Sequence, residues 1–167
     1  MGRYRAPQIP GSKYITAQGY QHLAEELDHL WFKLRPEVTR AVSAAAAEGD
    51  RSENAEYIYR KKQLREIDSR VRFLRKRLEN MKVVSTVPDN QQKVFFGAWV
   101  TVEDEDGCEQ CYRIVGPDEF DREDAYISMD SPVAKALLGK NLDDDVSLDL
   151  PKGKKQLVIT KIRYQRD

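Results

Sequence analysis

Ala44-Ala45-Ala46-Ala47-Glu48-Gly49-Asp50-Arg51-Ser52-Glu53 is the stretch whose reading decides the fold. The alanines favour helix strongly and keep it slim. Gly49 suits a helix C-terminus, where a left-handed backbone is wanted. Asp50 or Ser52 can cap a second helix that starts next, with carboxylates near its N-terminus. Upstream, from Thr16 as N-cap, Tyr20, Leu23, Leu27, Leu30 and Leu34 recur in alternating steps of three and four, continuing less cleanly through Val38, Ala41, Val42 and Ala45. Downstream, Tyr57, Leu64, Ile67, Val71, Leu74, Leu78 and Met81 follow the same heptad rule. The break between the two seams is short, so the helices must be antiparallel neighbours. The expectation is a two-helix coiled-coil hairpin over residues 14–82, tipped by Asp50 to Glu53. Pro36 loses one backbone bond within the first helix, at ~3 kcal/mol, which predicts a kink rather than an end. Helices of about 28–31 residues make a rod of about 42–46 Å. One seam is little support for such a rod, so its use is reach; a dimerisation coiled coil is the competing explanation.

The texture changes on either side. Residues 1–13, with prolines, glycines and basic side chains, read as a loose arm, and residues 83–92 as a linker. From Lys93 to Glu103 the sequence is strand-like, with a turn signal at Glu105-Asp106-Gly107. Further strands are expected at Cys111–Val115, Ala125–Met129, Val146–Leu150 and Gln156–Tyr164. Ser131-Pro132 opens a short helix that Gly139 ends. Residues 93–167 therefore form a mainly antiparallel sheet with one small helix, and the whole chain is α+β.

Composition narrows the function classes. The chain has 167 residues, 34% of them charged, and no apolar run approaches the ~20 residues that span a bilayer. The first residues lack the apolar core of a signal peptide, so the expected setting is cytoplasmic, with no membrane partner. The net charge of zero hides a segregation. Residues 51–82 carry 11 basic and 5 acidic side chains, a net of +6, whereas residues 100–167 carry 10 and 16, a net of −6. A basic helix beside an acidic domain hints at a polyanionic partner, although charge also simply solvates a helix face. Cys108 and Cys111 form a CxxC with no second ligand pair for zinc and no helix to open, so no chemistry is assigned to them. His22 and His29 read as ordinary surface residues.

Asp50 and Glu53 are two carboxylates at the end of the rod. Hard cations such as Mg²⁺ prefer carboxylate oxygens, and two of these cannot complete a shell but could supplement one held elsewhere. Phosphodiester hydrolysis commonly uses two metals about 4 Å apart. Taken alone, the pair is better explained by helix capping. The basic face behind it shifts that balance: Arg60, Lys61, Lys62 and Arg65 lie within the first turns of the second helix, placed to hold a phosphate backbone. Tyr57 and Tyr59 could stack on an unpaired base.

Gly49-Asp50-Arg51-Ser52-Glu53-Asn54-Ala55-Glu56-Tyr57 resembles the tip of the bacterial Gre transcript-cleavage factors. So do Ile15-Thr16 with Gly19-Tyr20 and Leu23, Arg35-Pro36-Glu37-Val38, Val94-Phe95-Phe96-Gly97-Ala98-Trp99-Val100, and the run from Asp130-Ser131-Pro132 to Leu138. The tip, the Phe95–Trp99 run and Lys61-Lys62 are more like the GreB branch of that family than the GreA branch. The resemblance covers nearly everything beyond the arm. It implies an FKBP-like C-terminal domain that docks, through a surface including Ser131 and Pro132, at the rim of the bacterial RNA polymerase secondary channel. It implies a coiled coil that reaches the active centre and stimulates the polymerase's own cleavage of backtracked RNA, the factor being an accessory and not an enzyme. Asp50 and Glu53 would share a Mg²⁺ with the polymerase and position water. Ser52 would assist, and Arg60, Lys61, Lys62 and Arg65 would hold the nascent RNA 3′ end. No cofactor would be held by the chain alone, and it would act as a monomer. Two other readings remain: a channel-plugging regulator that does not cleave, and a prolyl isomerase or chaperone, since fold does not fix function.

Overall fold

The computed structural model describes residues 11–50 and 52–165. Most of the expected arm, and Arg51 of the tip, lie outside the described residues. The chain divides into two compact units, Gln18–Met81 on one hand and Met1–Ala17 with Lys82–Asp167 on the other.

The first unit is the helical hairpin. Helix α1 (Ala17–His29) runs through a π-helical turn (Leu30–Leu34) into α2 (Arg35–Ala47), and α3 (Ala55–Asn80) returns. The π turn is how the chain absorbs Pro36. Arg35 N–H donates to the Leu30 carbonyl, five residues back. Widening the helix just before the proline makes room for its ring and accommodates the missing N–H. The helix runs on, and the expected local disturbance takes the form of that widened turn. Val38, Ile67 and Val71 are buried in the seam, with Leu27, Leu30, Leu34, Val42 and Leu64 packed against them. Fully burying one such side chain contributes about 1.5–3 kcal/mol. Ion pairs flank the seam. Arg35 reaches Asp68 at 2.7 Å, and Arg70 holds both oxygens of Glu26 at 2.6 and 3.0 Å. The exposed Trp31 ring lies beneath the guanidinium groups of Arg75, at 4.2 Å, and Arg35, at 5.2 Å.

The second unit begins with a two-stranded parallel sheet, β1 (Tyr14–Thr16) beside β2 (Lys82–Val84). The expected linker thus starts inside a strand. A five-stranded sheet follows: β3 (Trp99–Asp104), β4 (Glu109–Val115), β5 (Tyr126–Ser128), β6 (Asp145–Leu150) and β7 (Gly153–Arg163), in the order β5-β4-β3-β7-β6. All neighbours are antiparallel except β4 and β5. Val100 and Val102 of β3 point into the core while Thr101 and Glu103 are only partly covered, the period-two signature of a one-sided sheet. Helix α4 (Pro132–Leu137) closes the core with Ala134 and Leu137 against Val94, Ile114, Val146 and Ile159.

The strand expected from Lys93 begins only at Trp99. Lys93 makes an isolated bridge to Asn141. Ala98 N–H then turns back to the Phe95 carbonyl at 3.2 Å, and Gly97 takes φ +86°. That left-handed backbone suits glycine and cannot continue a ladder.

Candidate functional site at the hairpin tip

The tip is built by a residue that sequence reasoning passed over. Asn54 caps α3, its side-chain oxygen accepting from Tyr57 N–H at 3.1 Å. Its amide nitrogen donates to the Ala45 carbonyl at 2.6 Å, tying the end of α2 to the start of α3. Asp50 and Ser52, the expected caps, do something else. Ser52 donates to one oxygen of Asp50 twice, from its backbone N–H at 3.0 Å and its hydroxyl at 2.9 Å. The local signal was available, because Asn is as good a cap as Asp or Ser. Gly49 departs from expectation too: its φ of 159° is far from the left-handed helical region. Glu48 N–H instead closes α2 with a bond to Ala45 O at 3.2 Å.

Asp50, Ser52 and Glu53 are all exposed. The two Ser52 donors, backbone first, hold the Asp50 carboxyl below its ordinary range, so it stays ionised further into acid. Glu53 N–H donates to the Asp50 carbonyl at 3.3 Å, which places both carboxylates on one tight turn. Among the described residues no group of three or more His, Cys, Asp or Glu could hold a metal ion.

Behind the tip, Lys61, Lys62 and Arg65 are exposed. Lys61 sits 5.7 Å over the Tyr57 ring. Lys62 has Glu66 at 4.0 Å, a loose pair in water. Arg60 differs from these three: it is half-buried, bonded to Glu56 at 2.8 Å and to Gln63 at 3.1 Å. Tyr59 is exposed, while Tyr57 is half-buried at the end of the seam.

The other sequence-selected residues lie in the second unit. Ser131 caps α4 by accepting from Ala134 N–H at 3.2 Å, and the exposed Pro132 occupies its first turn. Cys108 and Cys111 are exposed free thiols. They face Asp104 and Thr101 respectively on β3. Three near-extended steps separate their Cα atoms by roughly 10 Å, beyond the reach of a disulfide. His22 and His29 are exposed on α1. No helix among the described residues is long and apolar enough to cross a membrane.

Comparison with known proteins agrees with this layout. Residues 13–83 match the family described as "Transcription elongation factor, N-terminal", and residues 88–164 match "Transcription elongation factor, GreA/GreB, C-term". The chain is 59% identical over 164 residues to transcription elongation factor GreB of Pseudomonas aeruginosa, covering 98% of each. It is 58% identical over 154 residues to transcription elongation factor GreB of Yersinia pestis, covering 92% of this chain and 90% of that one. Among solved structures, the GreA factor homolog 1 of Thermus thermophilus is 26% identical, with 90% and 97% of the two chains covered and a TM-score of 0.40. A helical hairpin with a capped acidic turn, a curled sheet unit and both family matches lead to one conclusion: the chain belongs to the GreA/GreB family of transcription elongation factors.

Proposed function

We propose that this chain binds RNA polymerase, enters its secondary channel tip first, and stimulates the polymerase's own hydrolysis of backtracked RNA at the 3′ end. The observation that carries the reading is the division of labour at the tip. Asn54 does the capping, which leaves the carboxylates of Asp50 and Glu53 exposed and free of that duty. Their exposure, and the charge that Ser52 helps Asp50 keep, suit a hard cation whose remaining ligands belong to the polymerase. Asp50 and Glu53 would hold a Mg²⁺ there, and such an ion supplies a water of lowered pKa and charge stabilisation for phosphodiester hydrolysis. Ser52 keeps the Asp50 carboxylate oriented and charged.

Lys61, Lys62 and Arg65 hold the phosphates of the extruded 3′ segment, and Arg60, engaged with Glu56, contributes less than these three. The sheet unit, FKBP-like in this reading, docks at the channel rim with Ser131 and Pro132 in the contact. The factor works as a cytoplasmic monomer, and the bond-breaking centre belongs to the polymerase. The test is to add the chain to backtracked elongation complexes with Mg²⁺ and follow release of short 3′ RNA fragments. Asp50→Ala and Glu53→Ala should each abolish stimulation while still competing for polymerase. Full stimulation by both variants would sink the reading.

A further inference from the structure

The five-stranded sheet has a face turned away from its core, and charge polarises it. Val100, Val102 and Ile114 point into the core, so their neighbours along β3 and β4 point out. Cross-strand pairing sets Tyr126 of β5, Arg113 of β4, Trp99 of β3 and Arg163 of β7 side by side in one row. Lys161 lies in the next row, opposite Thr101. Further along the same face stand Glu103, Glu109 and, on β6, Asp145. A basic end built around one indole ring therefore adjoins an acidic end. Four extended residues, roughly 13 Å, separate Arg113 from Glu109 along β4.

Arg113 is the centre of the basic end. Its guanidinium lies 5.5 Å from the Trp99 ring centre and 5.2 Å from that of Tyr126, and the two rings meet edge to face at 5.9 Å. Nη1 donates to the Tyr126 hydroxyl at 2.8 Å. Nε is sealed from water without an acceptor, and among the described residues it is the one buried side-chain polar atom left so. None of the ion pairs among the described residues involves Arg113. Two ring faces stabilise a cation without neutralising it. A half-buried cation is costly until an anion meets it. The rings also hold the guanidinium in place beforehand, so little side-chain freedom is lost on binding. Its planar fork matches a carboxylate or a phosphate. The acidic end decides between them. An RNA strand leaving the basic end would carry phosphates onto Glu103 and Glu109, whereas a protein segment can change sign along its length. We propose that this face docks a protein segment of alternating charge: an Asp or Glu of the partner seats on Arg113, beside Lys161 and Arg163, and a basic residue about four positions away meets Glu109. The surface belongs wholly to the sheet unit, and the inference stands or falls independently of transcript cleavage.

The test is an NMR titration of the full chain at low salt, read at the indole N–H signals of its two tryptophans, Trp31 and Trp99. The probe is the capped peptide Glu-Glu-Ala-Ala-Lys-Lys. Trp99 should shift saturably, with half-saturation on the order of 1 mM. Trp31 also lies beneath two guanidinium groups, on the hairpin, and should stay still. Equal shifts at both rings would mean unselective charge contact and would overturn the proposal, as would an unmoved Trp99. Arg113→Gln, which keeps hydrogen-bond donors and loses the charge, should weaken the Trp99 response at least about fivefold. Glu109→Lys, at an exposed position where the fold is not at stake, should weaken it about threefold. Should Arg113→Gln fail to fold, the parent and Glu109→Lys titrations decide. Inorganic phosphate or an oligouridylate shifting Trp99 at lower concentration than the peptide would overturn the proposal in favour of a phosphate site. A Trp99 shift that tracks dimerisation of the chain alone, followed by sedimentation equilibrium, would overturn it in favour of a second copy.

Discussion

At the tip of the hairpin, polar groups lie near or in water and hold one another over short stretches of chain. Ser52 bonds to Asp50 two residues away, and Asn54 to Ala45 nine residues away. At the root, Thr16 and Glu119 are sealed from water and lie 103 residues apart in sequence. The two ends use the same kinds of group for opposite ends. An exposed carboxylate costs little because water solvates it, so local bonds can order the turn without covering the acids. A buried carboxylate must have its oxygens met, and that demand specifies one register and rejects others. Short local bonds order the exposed turn, and long-range bonds order the buried contact.

Mutations that separate seam packing from exposed ion pairs sharpen this contrast. The largest effect is expected in the seam between tip and root. Ile67→Ala should cost the hairpin about 3 kcal/mol, read by denaturant unfolding of the helical signal. Arg70→Ala, which breaks only an exposed pair with Glu26, should cost less than about 1 kcal/mol. Equal losses would mean the hairpin is held by its ion pairs. Next, replacing Lys61, Lys62 and Arg65 together by alanine should weaken half-saturation on backtracked complexes about tenfold at low salt and flatten its salt dependence. Asn54→Ala should lower hairpin stability by about 1 kcal/mol, checked by thermal melting. The smallest effect concerns pH. The donors from Ser52 depress the Asp50 carboxyl, so its charge persists at pH values where an ordinary aspartate is already protonated. Ser52→Ala should raise that titration toward the ordinary range, as followed by carboxyl-carbon NMR; an unmoved midpoint would show that the hydroxyl does not orient the acid.

The two seams were legible because heptad spacing encodes a helix face directly. Leu27, Leu30, Leu34, Val38, Ile67 and Val71 pack as their spacing requires. Pro36 was legible as an interruption that the helix survives. A missing N–H does not say whether the helix bends or widens, and the widened turn shows in the Arg35 N–H bond to the Leu30 carbonyl. At the tip the expected caps, Asp50 and Ser52, give way to Asn54. Asp50, Ser52 and Asn54 are all competent caps, and the bond from Asn54 to the Ala45 carbonyl is made across the hairpin turn. The root was invisible to pattern reading. Tyr14–Thr16 read as the start of the hairpin, with Thr16 as N-cap, because its partner strand, Lys82–Val84, lies beyond the whole hairpin. Glu119 looked like one more acid in an acidic domain, since burial leaves no mark in a single sequence.

The central claim is that Asp50 serves chemistry and not the fold. Asp50→Asn tests it most directly, because the amide keeps the shape and an acceptor for Ser52 and removes only the charge. The measurement is the single-turnover cleavage rate of backtracked RNA at saturating factor. The account predicts a rate lower by on the order of 100-fold, as when one charge-stabilising group is lost from a reaction centre, with melting temperature and polymerase occupancy unchanged. A rate within about twofold of the parent would contradict it, because losing one charge-stabilising group from a reaction centre typically costs on the order of 100-fold.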